Sequence, residues 1–197
     1  MVFLYVDDLL VTGNNSIHVE EFKSTMHKEF EMTDLGEMTC FLGMEIHLSQ
    51  DDIFICQKKY ANEILRKFGM EGCKSVGTPL VQNQRLCKED EATLVDETKF
   101  MSKPCEEHLK AAKRVPRYIK GTTDHGILFK KFENFKLVGY ADSDWGGSCN
   151  DMRSTSGYVL LLNCGAFCWS SKKQEILAQS TAEAEYISAA AVVNQVI

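Results

Sequence analysis

Two adjacent acidic residues, Asp7 and Asp8, divide the apolar segment at the start of the sequence. The residues on either side, 2–6 and 9–12, are mainly β-branched, aromatic or aliphatic, a composition typical of short strands. We therefore expect a β-hairpin with its turn at the acid pair. Two neighbouring carboxylates repel each other unless water or a cation lies between them. The pattern predicts either a divalent metal site or a solvated acidic turn.

The spacing of apolar residues predicts alternating helices and strands over the rest of the chain, as in an α+β protein. A composition of 44% hydrophobic and 25% charged residues argues against a disordered, collagenous or coiled-coil chain. Pro116 falls inside the third predicted helix, and we expect a kink or an early end there because proline lacks a backbone donor. The predicted helices cover about 17–30, 58–68, 106–120 and 181–197. The predicted strands cover about 38–48, 53–56, 126–130, 136–141, 157–162 and 166–170.

Charge is distributed unevenly along the chain. The formal net charge is −6, which argues against a general nucleic-acid binder. Residues 103–131, however, contain eight basic and three acidic side chains, so this segment carries +5 and the remainder carries −11. A basic helix of this kind is either a solvated face or a surface that follows a phosphate backbone. The residues that would contact nucleic acid are Lys110, Lys113, Arg114, Arg117 and Lys120.

A second acidic pattern lies in the last third of the sequence. A predicted strand delivers Asp142 at its end, Asp144 follows two residues later, and Gly146 and Gly147 then break the strand. Asp142 is the better candidate for a metal ligand because it lies where the strand ends. Asp144 is expected either to be solvated or to support a ligand indirectly.

A predicted helix follows this strand after about 40 residues and starts at Ser180. Ser180 and Glu183 have the spacing of a capping box, in which the glutamate binds free N–H groups of the helix itself. Glu185 is therefore the better candidate for a metal ligand. We expect it at the border of a buried stripe formed by Ala182, Tyr186, Ala189, Ala190 and Val193.

The segment from Tyr5 to Leu9 resembles the catalytic hairpin of reverse transcriptases, whose aromatic-x-Asp-Asp turn supplies carboxylates for two-metal nucleotidyl transfer. Residues 41–46 resemble the hairpin that grips the primer end in that family, and residues 57–60 open a helix where the thumb would begin. The resemblance implies that Asp7 and Asp8 are catalytic and metal-binding residues. It also implies a primer–template nucleic acid as the partner.

The order of strand, strand, strand and helix after residue 134 resembles the ribonuclease H of copia-type long-terminal-repeat retrotransposons. The segment from Arg153 to Tyr158 matches a signature of that family. The resemblance implies that Asp142 and Glu185 hold Mg²⁺ or Mn²⁺ against the scissile phosphate of an RNA–DNA hybrid. It also implies that the basic residues between 110 and 120 form the connecting helix, whose basic face follows the phosphate backbone.

These resemblances identify the chain as an internal fragment of a copia-type Pol polyprotein. The expected α+β fold is a C-terminal remnant of a reverse transcriptase palm and thumb, followed by a truncated ribonuclease H-like α/β domain. The expected segments are a palm remnant with both hairpins (1–49), a thumb-like segment (50–80), a linker with an apparent deletion (81–104), a basic connection (105–133) and the ribonuclease H-like domain (134–197).

The family's sites each need a further carboxylate that the sequence does not supply, one upstream of Asp7 and one downstream of Glu185. We therefore expect weak metal binding and no catalysis by this chain alone. The alternative is a non-catalytic nucleic-acid-binding module.

The sequence predicts an intracellular chain, cytoplasmic or nuclear, without a membrane partner. Its first ten residues contain two acids and no basic start, so they do not form a secretory signal. The eight cysteines show no Cys-x-x-Cys spacing, and we expect all of them to be reduced thiols. The sequence leaves the oligomeric state open.

Overall fold

The computed structural model describes residues 1–82, 84, 86 and 105–197. The expected linker over 81–104, with its apparent deletion, lies outside the described residues except at 81, 82, 84 and 86. The chain divides into two compact units, Met1–Met38 and Thr39–Ile197. Both units contain helix and strand, which confirms the α+β class.

A β-hairpin and one helix make up the first unit. Tyr5 pairs with Asp8, so the turn consists of Val6 and Asp7. The expected turn at the acid pair is therefore wrong by one residue, since Asp8 already belongs to the second strand. The elements are β1 (Val2–Tyr5), β2 (Asp8–Val11) and α1 (Ser16–Glu29).

A four-stranded antiparallel sheet and two helices form the first part of the second unit. The strand order is β3-β4-β5-β6, and β6 joins the hairpin from a position roughly 70 residues further along the chain. Leu42 and Gly43, with φ of 51° and 76°, make the tight turn that splits the expected strand over 38–48 in two. The elements are β3 (Cys40–Phe41), β4 (Met44–Leu48), β5 (Asp52–Cys56), α2 (Lys58–Lys67), α3 (Glu106–Gly121) and β6 (Gly126–Lys130).

Pro116 lies inside α3, and the helix continues past it to Gly121. The alternative of an early end at the proline is therefore wrong. Helix α3 packs against α2, where Leu65 is completely buried and Ala111 is nearly so. This packing supplies contacts that offset the hydrogen bond lost at the proline.

A three-stranded antiparallel sheet, with strand order β7-β8-β9, is covered by α4. A Cβ atom added to Gly139 of β7 would lie 2.8 Å from Val192, so the glycine allows α4 to approach the sheet closely. Leu160 of β8 is buried beneath the helix. The elements are β7 (Leu137–Asp144), β8 (Thr155–Leu162), β9 (Gly165–Lys173) and α4 (Thr181–Val196).

The rotation of α4 differs from the prediction. Ala184 and Ser188 are its buried residues, whereas Tyr186 of the expected buried stripe is 77% exposed. Ala184, Ser188 and Val192 face the sheet, and Gly139 leaves room for the Val192 side chain. Most of the expected stripe is exposed.

Among the described residues, no helix is long and apolar enough to cross a membrane. Cys149 is disulfide-bonded, which corrects the expectation that all cysteines are reduced. Disulfide partners need not be close in sequence, so cysteine spacing carried no signal for this bond. The cysteines found free are Cys40, Cys56, Cys73, Cys105, Cys164 and Cys168.

Candidate functional site

The hairpin of the first unit presents Asp7 and Asp8 at its tip, and both are exposed. Asp7 lies in the turn, while Asp8 pairs with Tyr5 at the start of β2. Val6 has a φ of 51°, a conformation that a β-branched residue rarely adopts. Leu42 and Asn163 have the same conformation in the β3–β4 and β8–β9 turns. The positive φ therefore follows from the tight hairpin turn, which places Asp7 beyond the paired strands.

The edge strand β7 carries Asp142, which lies opposite Gly157 of β8 and is exposed. Because side chains alternate along a strand, Asp142 and Asp144 share one face of β7, and Gly139 shares the other face with α4. Asp144 accepts a hydrogen bond from the backbone N–H of Thr155, so it holds the start of β8. Asp142 is left as the open carboxylate of this strand.

The two glutamates at the start of α4 have different environments. The Ser180 hydroxyl accepts a hydrogen bond from the Glu183 backbone N–H at 3.2 Å. The Glu183 carboxylate accepts one from the Gln179 backbone N–H at 2.6 Å. Glu183 therefore serves the helix N-terminus, as the capping pattern predicts, although its partner is residue 179 instead of 180. Glu185 is exposed.

Sequence reasoning missed two buried polar residues that attach α4 to the sheet. Ser188 donates from its hydroxyl to the carbonyl oxygens of Asp142 (2.8 Å) and Gly157 (3.2 Å). Gln174 donates from its amide nitrogen to Ser156 and to the carbonyl oxygen of Ala184. A serine inside an alanine-rich helix, three residues after Glu185, was the available signal for the first of them.

The carboxylates suit Mg²⁺ or Mn²⁺ in kind, because magnesium prefers oxygen ligands and is commonly held by one or two carboxylates together with water and phosphate. Within the described parts of the chain, no three His, Cys, Asp or Glu side chains are grouped so as to hold a metal ion. Asp7 and Asp8 are neighbours at one hairpin tip and offer two carboxylates. The structure does not bring Asp142 and Glu185 together, because Asp142 lies on the face of β7 opposite to α4, the helix that carries Glu185.

The loop between β7 and β8 includes Arg153 and Ser154, the first two residues of the family signature, and buried hydrogen bonds hold it. Ser154 is completely buried, and its hydroxyl accepts a hydrogen bond from the Gly146 backbone N–H at 3.1 Å. The carbonyl of Ser154 accepts one from the Gln174 backbone N–H at 2.8 Å. These bonds fix the loop against the end of β9.

Lys173 donates to Asp151 at 2.7 Å in this loop and lowers the pKa of Asp151 to about 2. A carboxylate with a depressed pKa in the folded state contributes stability above its unfolded pKa of about 3.9. That contribution is lost as the pH falls through about 2. We expect the Asp151 carboxyl in Lys173→Met to titrate closer to its usual range, as followed by NMR of the carboxyl carbon. An unchanged midpoint in the variant would show that Lys173 does not hold this carboxylate.

The five basic residues predicted to contact nucleic acid lie on one side of α3, within an arc of about 120°. Two of them bind the chain itself. Arg114 donates to the carbonyl oxygen of Thr78 at 3.0 Å and to its hydroxyl at 2.9 Å. Arg117 donates to the carbonyl oxygen of Lys74 at 2.8 Å. These arginines therefore hold the segment 74–78 against α3.

The three lysines of this side differ in their partners. Lys110 pairs with Glu107 at 2.6 Å on the same helix, which raises the pKa of Lys110. Lys113 is exposed and Lys120 is half-buried. Lys113 and Lys120 are therefore the basic residues of α3 best placed to contact a phosphate backbone.

Comparisons with known proteins agree with the resemblance stated above. Residues 1–82 match the family model for reverse transcriptase (RNA-dependent DNA polymerase). The retrovirus-related Pol polyprotein from transposon RE1 of Arabidopsis thaliana is 33% identical over 96% of this chain and 15% of its own length. The corresponding polyprotein from transposon TNT 1-94 of Nicotiana tabacum is 31% identical over 96% of this chain and 17% of its own length.

An uncharacterized mitochondrial protein of Arabidopsis thaliana is 32% identical over 94% of this chain and 88% of its own length. No solved structure matches the chain. The chain spans about 15% of the length of the transposon polyproteins that it matches. The chain belongs to the family of retrovirus-related Pol polyproteins of copia-type retrotransposons, because the reverse transcriptase match and the retrotransposon relatives agree.

Proposed function

We propose that the chain forms the catalytic hairpin and thumb of a reverse transcriptase, followed by the first part of a ribonuclease H-like domain. Its substrates would be a primer–template for the first part and an RNA–DNA hybrid for the second. The observation that carries the nuclease proposal is the attachment of α4 to the edge strand β7. Ser188, one turn after Glu185, binds the carbonyl oxygen of Asp142 at 2.8 Å.

The polymerase part of the proposal is supported by the family match over residues 1–82. Asp7 lies in the turn with Val6, outside the paired residues of the two strands, and Asp8 is the first paired residue of β2. Consecutive positions of this kind present two carboxylates in different directions. Asp7 and Asp8 would therefore not act equivalently.

The nuclease part rests on the strand order, the exposed Asp142 and the exposed Glu185. When bound, Mg²⁺ or Mn²⁺ would neutralise charge on the scissile phosphate and activate the attacking water. Asp142 and Glu185 would be the protein ligands of the ion in the complete nuclease, and in this structure they lie toward opposite faces of β7. Asp144 would hold the start of β8, and Glu183 would cap α4. The hybrid would be recognised by its shape and its 2′-hydroxyl groups.

We propose further that the 197-residue chain alone does not polymerise, because nucleotidyl transfer uses two metal ions and the described residues offer only Asp7 and Asp8 at the hairpin tip. Primer extension on an RNA template with Mg²⁺ or Mn²⁺ should yield no product. Extension that disappears in Asp7→Asn would contradict this proposal. A chain that binds nucleic acid and catalyses nothing in any assembly would instead be the non-catalytic binding module.

The basic side of α3 supports weak, sequence-independent binding of a hybrid. We expect the affinity to fall steeply with salt, because lysine contacts to phosphate release counterions. Lys113→Gln and Lys120→Gln should each flatten the slope of log K against log salt by about 0.9 if the partner is a duplex. Lys28→Gln, an exposed lysine of α1, is the matched control and should leave the slope unchanged. Fluorescence anisotropy with a labelled hybrid at several salt concentrations measures this.

A slope that the Lys113 and Lys120 substitutions do not change would show that α3 presents only a solvated face. Arg114→Gln and Arg117→Gln are unsuitable for this test. Both remove hydrogen bonds to the segment 74–78, so they would lower the stability of the chain as well as its charge.

A further inference from the structure

The segment 74–78 lies against α3, and its last residue, Thr78, contacts an arginine of that helix. Arg114 donates from Nε to the carbonyl oxygen of Thr78 at 3.0 Å and from Nη2 to the Thr78 hydroxyl at 2.9 Å. At the other end of the segment, Arg117 donates to the carbonyl oxygen of Lys74 at 2.8 Å. Thr78 itself is exposed. Its hydroxyl therefore lies at the surface of the chain, beside a guanidinium group.

Pro79 follows Thr78 directly. The sequence contains three prolines, and the residues before the other two are Lys103 and Val115, so Thr78 is the one hydroxyl residue that precedes a proline. A proline favours an extended conformation of the residue before it. Proline-directed protein kinases accept a serine or threonine in this position. Thr78 therefore has the sequence context of an acceptor hydroxyl.

The backbone on both sides of Thr78 is open to solvent. Pro79 is exposed, and Leu80 is 57% exposed. A Cβ atom added to Gly77 would meet no heavy atom of the described residues within 4 Å. The surface at this position therefore leaves room for an added group and for the approach of a modifying enzyme.

Arg114 has the hydrogen-bonding capacity to bind a phosphate on Thr78. A guanidinium group carries five N–H donors, and two of those of Arg114 are used on Thr78. The others have no acceptor among the described residues. A phosphate attached to Thr78 Oγ1 would start from an atom that is 2.9 Å from Nη2, within reach of the planar fork that binds phosphate oxygens in pairs.

The charges around this hydroxyl also favour an anion. Lys110 lies one turn before Arg114 and Arg117 one turn after it, so all three share one side of α3. Glu107, an acid of the same side, is paired with Lys110 at 2.6 Å. Residues 74–80 contain one lysine and no acid. A phosphate on Thr78 would therefore face a surface with an excess of positive charge.

We propose that Thr78 is a phosphorylation site and that Arg114 binds the phosphate. The Thr78 oxygen forms a bond to the γ-phosphorus of ATP, the bond from that phosphorus to the oxygen of ADP breaks, and the hydroxyl proton is released to solvent. The phosphate carries a charge of about −1.5 to −2 at pH 7. The hydrogen bond from the hydroxyl to the Leu80 carbonyl oxygen, 2.7 Å long, is lost. Charge-assisted hydrogen bonds from Arg114 replace it.

The modification has two consequences for the basic side of α3. The phosphate holds the segment 74–78 more firmly against the helix. It also repels the backbone of a nucleic acid that approaches Lys113, the residue before Arg114. The second consequence rests on the proposed binding of a hybrid by α3, whereas the modification and its contact with Arg114 do not.

The first experiment treats the full 197-residue chain with ATP, Mg²⁺ and recombinant proline-directed kinases of the cyclin-dependent and mitogen-activated classes. Mass spectrometry should find phosphate on Thr78, and incorporation at this position should fall to background in Pro79→Ala, which keeps the hydroxyl. Thr33→Ala, which removes an exposed threonine of the first unit, is the matched control and should be phosphorylated like the wild type. A folded chain that gains no phosphate with either kinase, or the same amount in Thr78→Ala, would overturn the assignment.

Amide hydrogen exchange of residues 74–78 tests the contact with Arg114. Phosphorylation should slow exchange in this segment. The slowing should be smaller in Arg114→Lys, which keeps a positive charge and loses the planar fork. Lys113→Gln is the matched control and should show the same slowing as the wild type, and circular dichroism verifies the fold of each variant. Unchanged or faster exchange after phosphorylation, or equal slowing in Arg114→Lys, contradicts the binding of the phosphate by Arg114.

Fluorescence anisotropy with a labelled RNA–DNA hybrid separates this inference from the proposed function. Phosphorylation should weaken binding about tenfold at roughly 0.1 M salt, the electrostatic contribution of one phosphate contact. Equal affinity of the modified and unmodified chains would overturn the effect on the basic side of α3. If the unmodified chain does not bind the hybrid, the proposed nucleic-acid binding fails, and the mass spectrometry and hydrogen exchange still decide whether Thr78 is the modified residue and Arg114 its partner.

Discussion

Asp142→Asn and Glu185→Gln should each reduce cleavage of the RNA strand in an RNA–DNA hybrid to background. Because this chain spans about 15% of its polyprotein relatives, the assay uses the chain extended by the segment that follows the matched region in the transposon RE1 polyprotein. Each substitution keeps the size of the side chain and removes one charged ligand of the proposed metal ion. Cleavage is measured in Mg²⁺ with a hybrid labelled on the RNA strand.

Glu183→Gln is the matched control in the same extended chain. Its amide oxygen can still accept the hydrogen bond from the Gln179 backbone N–H, so most of the activity should remain. An inactive Glu183→Gln together with an active Glu185→Gln would reverse the assignment of the two glutamates. An extended chain that folds but never cleaves the hybrid would contradict the nuclease proposal itself.

Leu65→Ala should destabilise the second unit by about 2–5 kcal/mol, the cost of removing a fully buried leucine. Leu65 belongs to α2 and is 0% exposed. Helix α2 contacts α3 and β4. This loss is a large fraction of the roughly 5–15 kcal/mol that stabilises a typical domain. Urea unfolding followed by circular dichroism measures the change.

Leu48→Ala is the control for this effect. Leu48 lies at the end of β4 and is 53% exposed, so its truncation should cost well under half of the Leu65→Ala value. Similar losses at both positions would show that the α2–α3 contact is not the core of this unit. The control also tests whether the stability of the hairpin formed by β4 and β5 depends on exposed side chains.

Local patterns of the sequence predicted most helices and strands to within a few residues. Helix α1 starts one residue before the prediction, and β6 agrees with it. The hairpin turn was misplaced because Val6 adopts a positive φ, which residue preferences make improbable. The rotation of α4 differs from the prediction because Ala184, Ser188 and Val192 face the sheet, and Val192 packs where Gly139 leaves room for its side chain.

The site was predictable only where its geometry is local. The different environments of Glu183 and Glu185 follow from a capping pattern within four residues, and the structure shows the expected cap. The roles of Arg114 and Gln174 within the fold depend on partners that lie 36 and 10 residues away, respectively. Such contacts leave no periodic signal, so the sequence indicates neither the hydrogen bonds of Arg114 to Thr78 nor those of Gln174 to Ser156 and Ala184.

The pairing of β5 with β6 has a consequence for how the chain folds during synthesis. Cys56 pairs with Gly126, so a ribosome that adds 5–20 residues per second completes β5 about 4–14 s before its partner strand exists. During that interval the outer edge of β5 lacks its neighbour, and an open strand edge is a template for pairing with other chains. The second unit would therefore be most exposed to aggregation while it is being translated, before β6 arrives to cover the edge of β5.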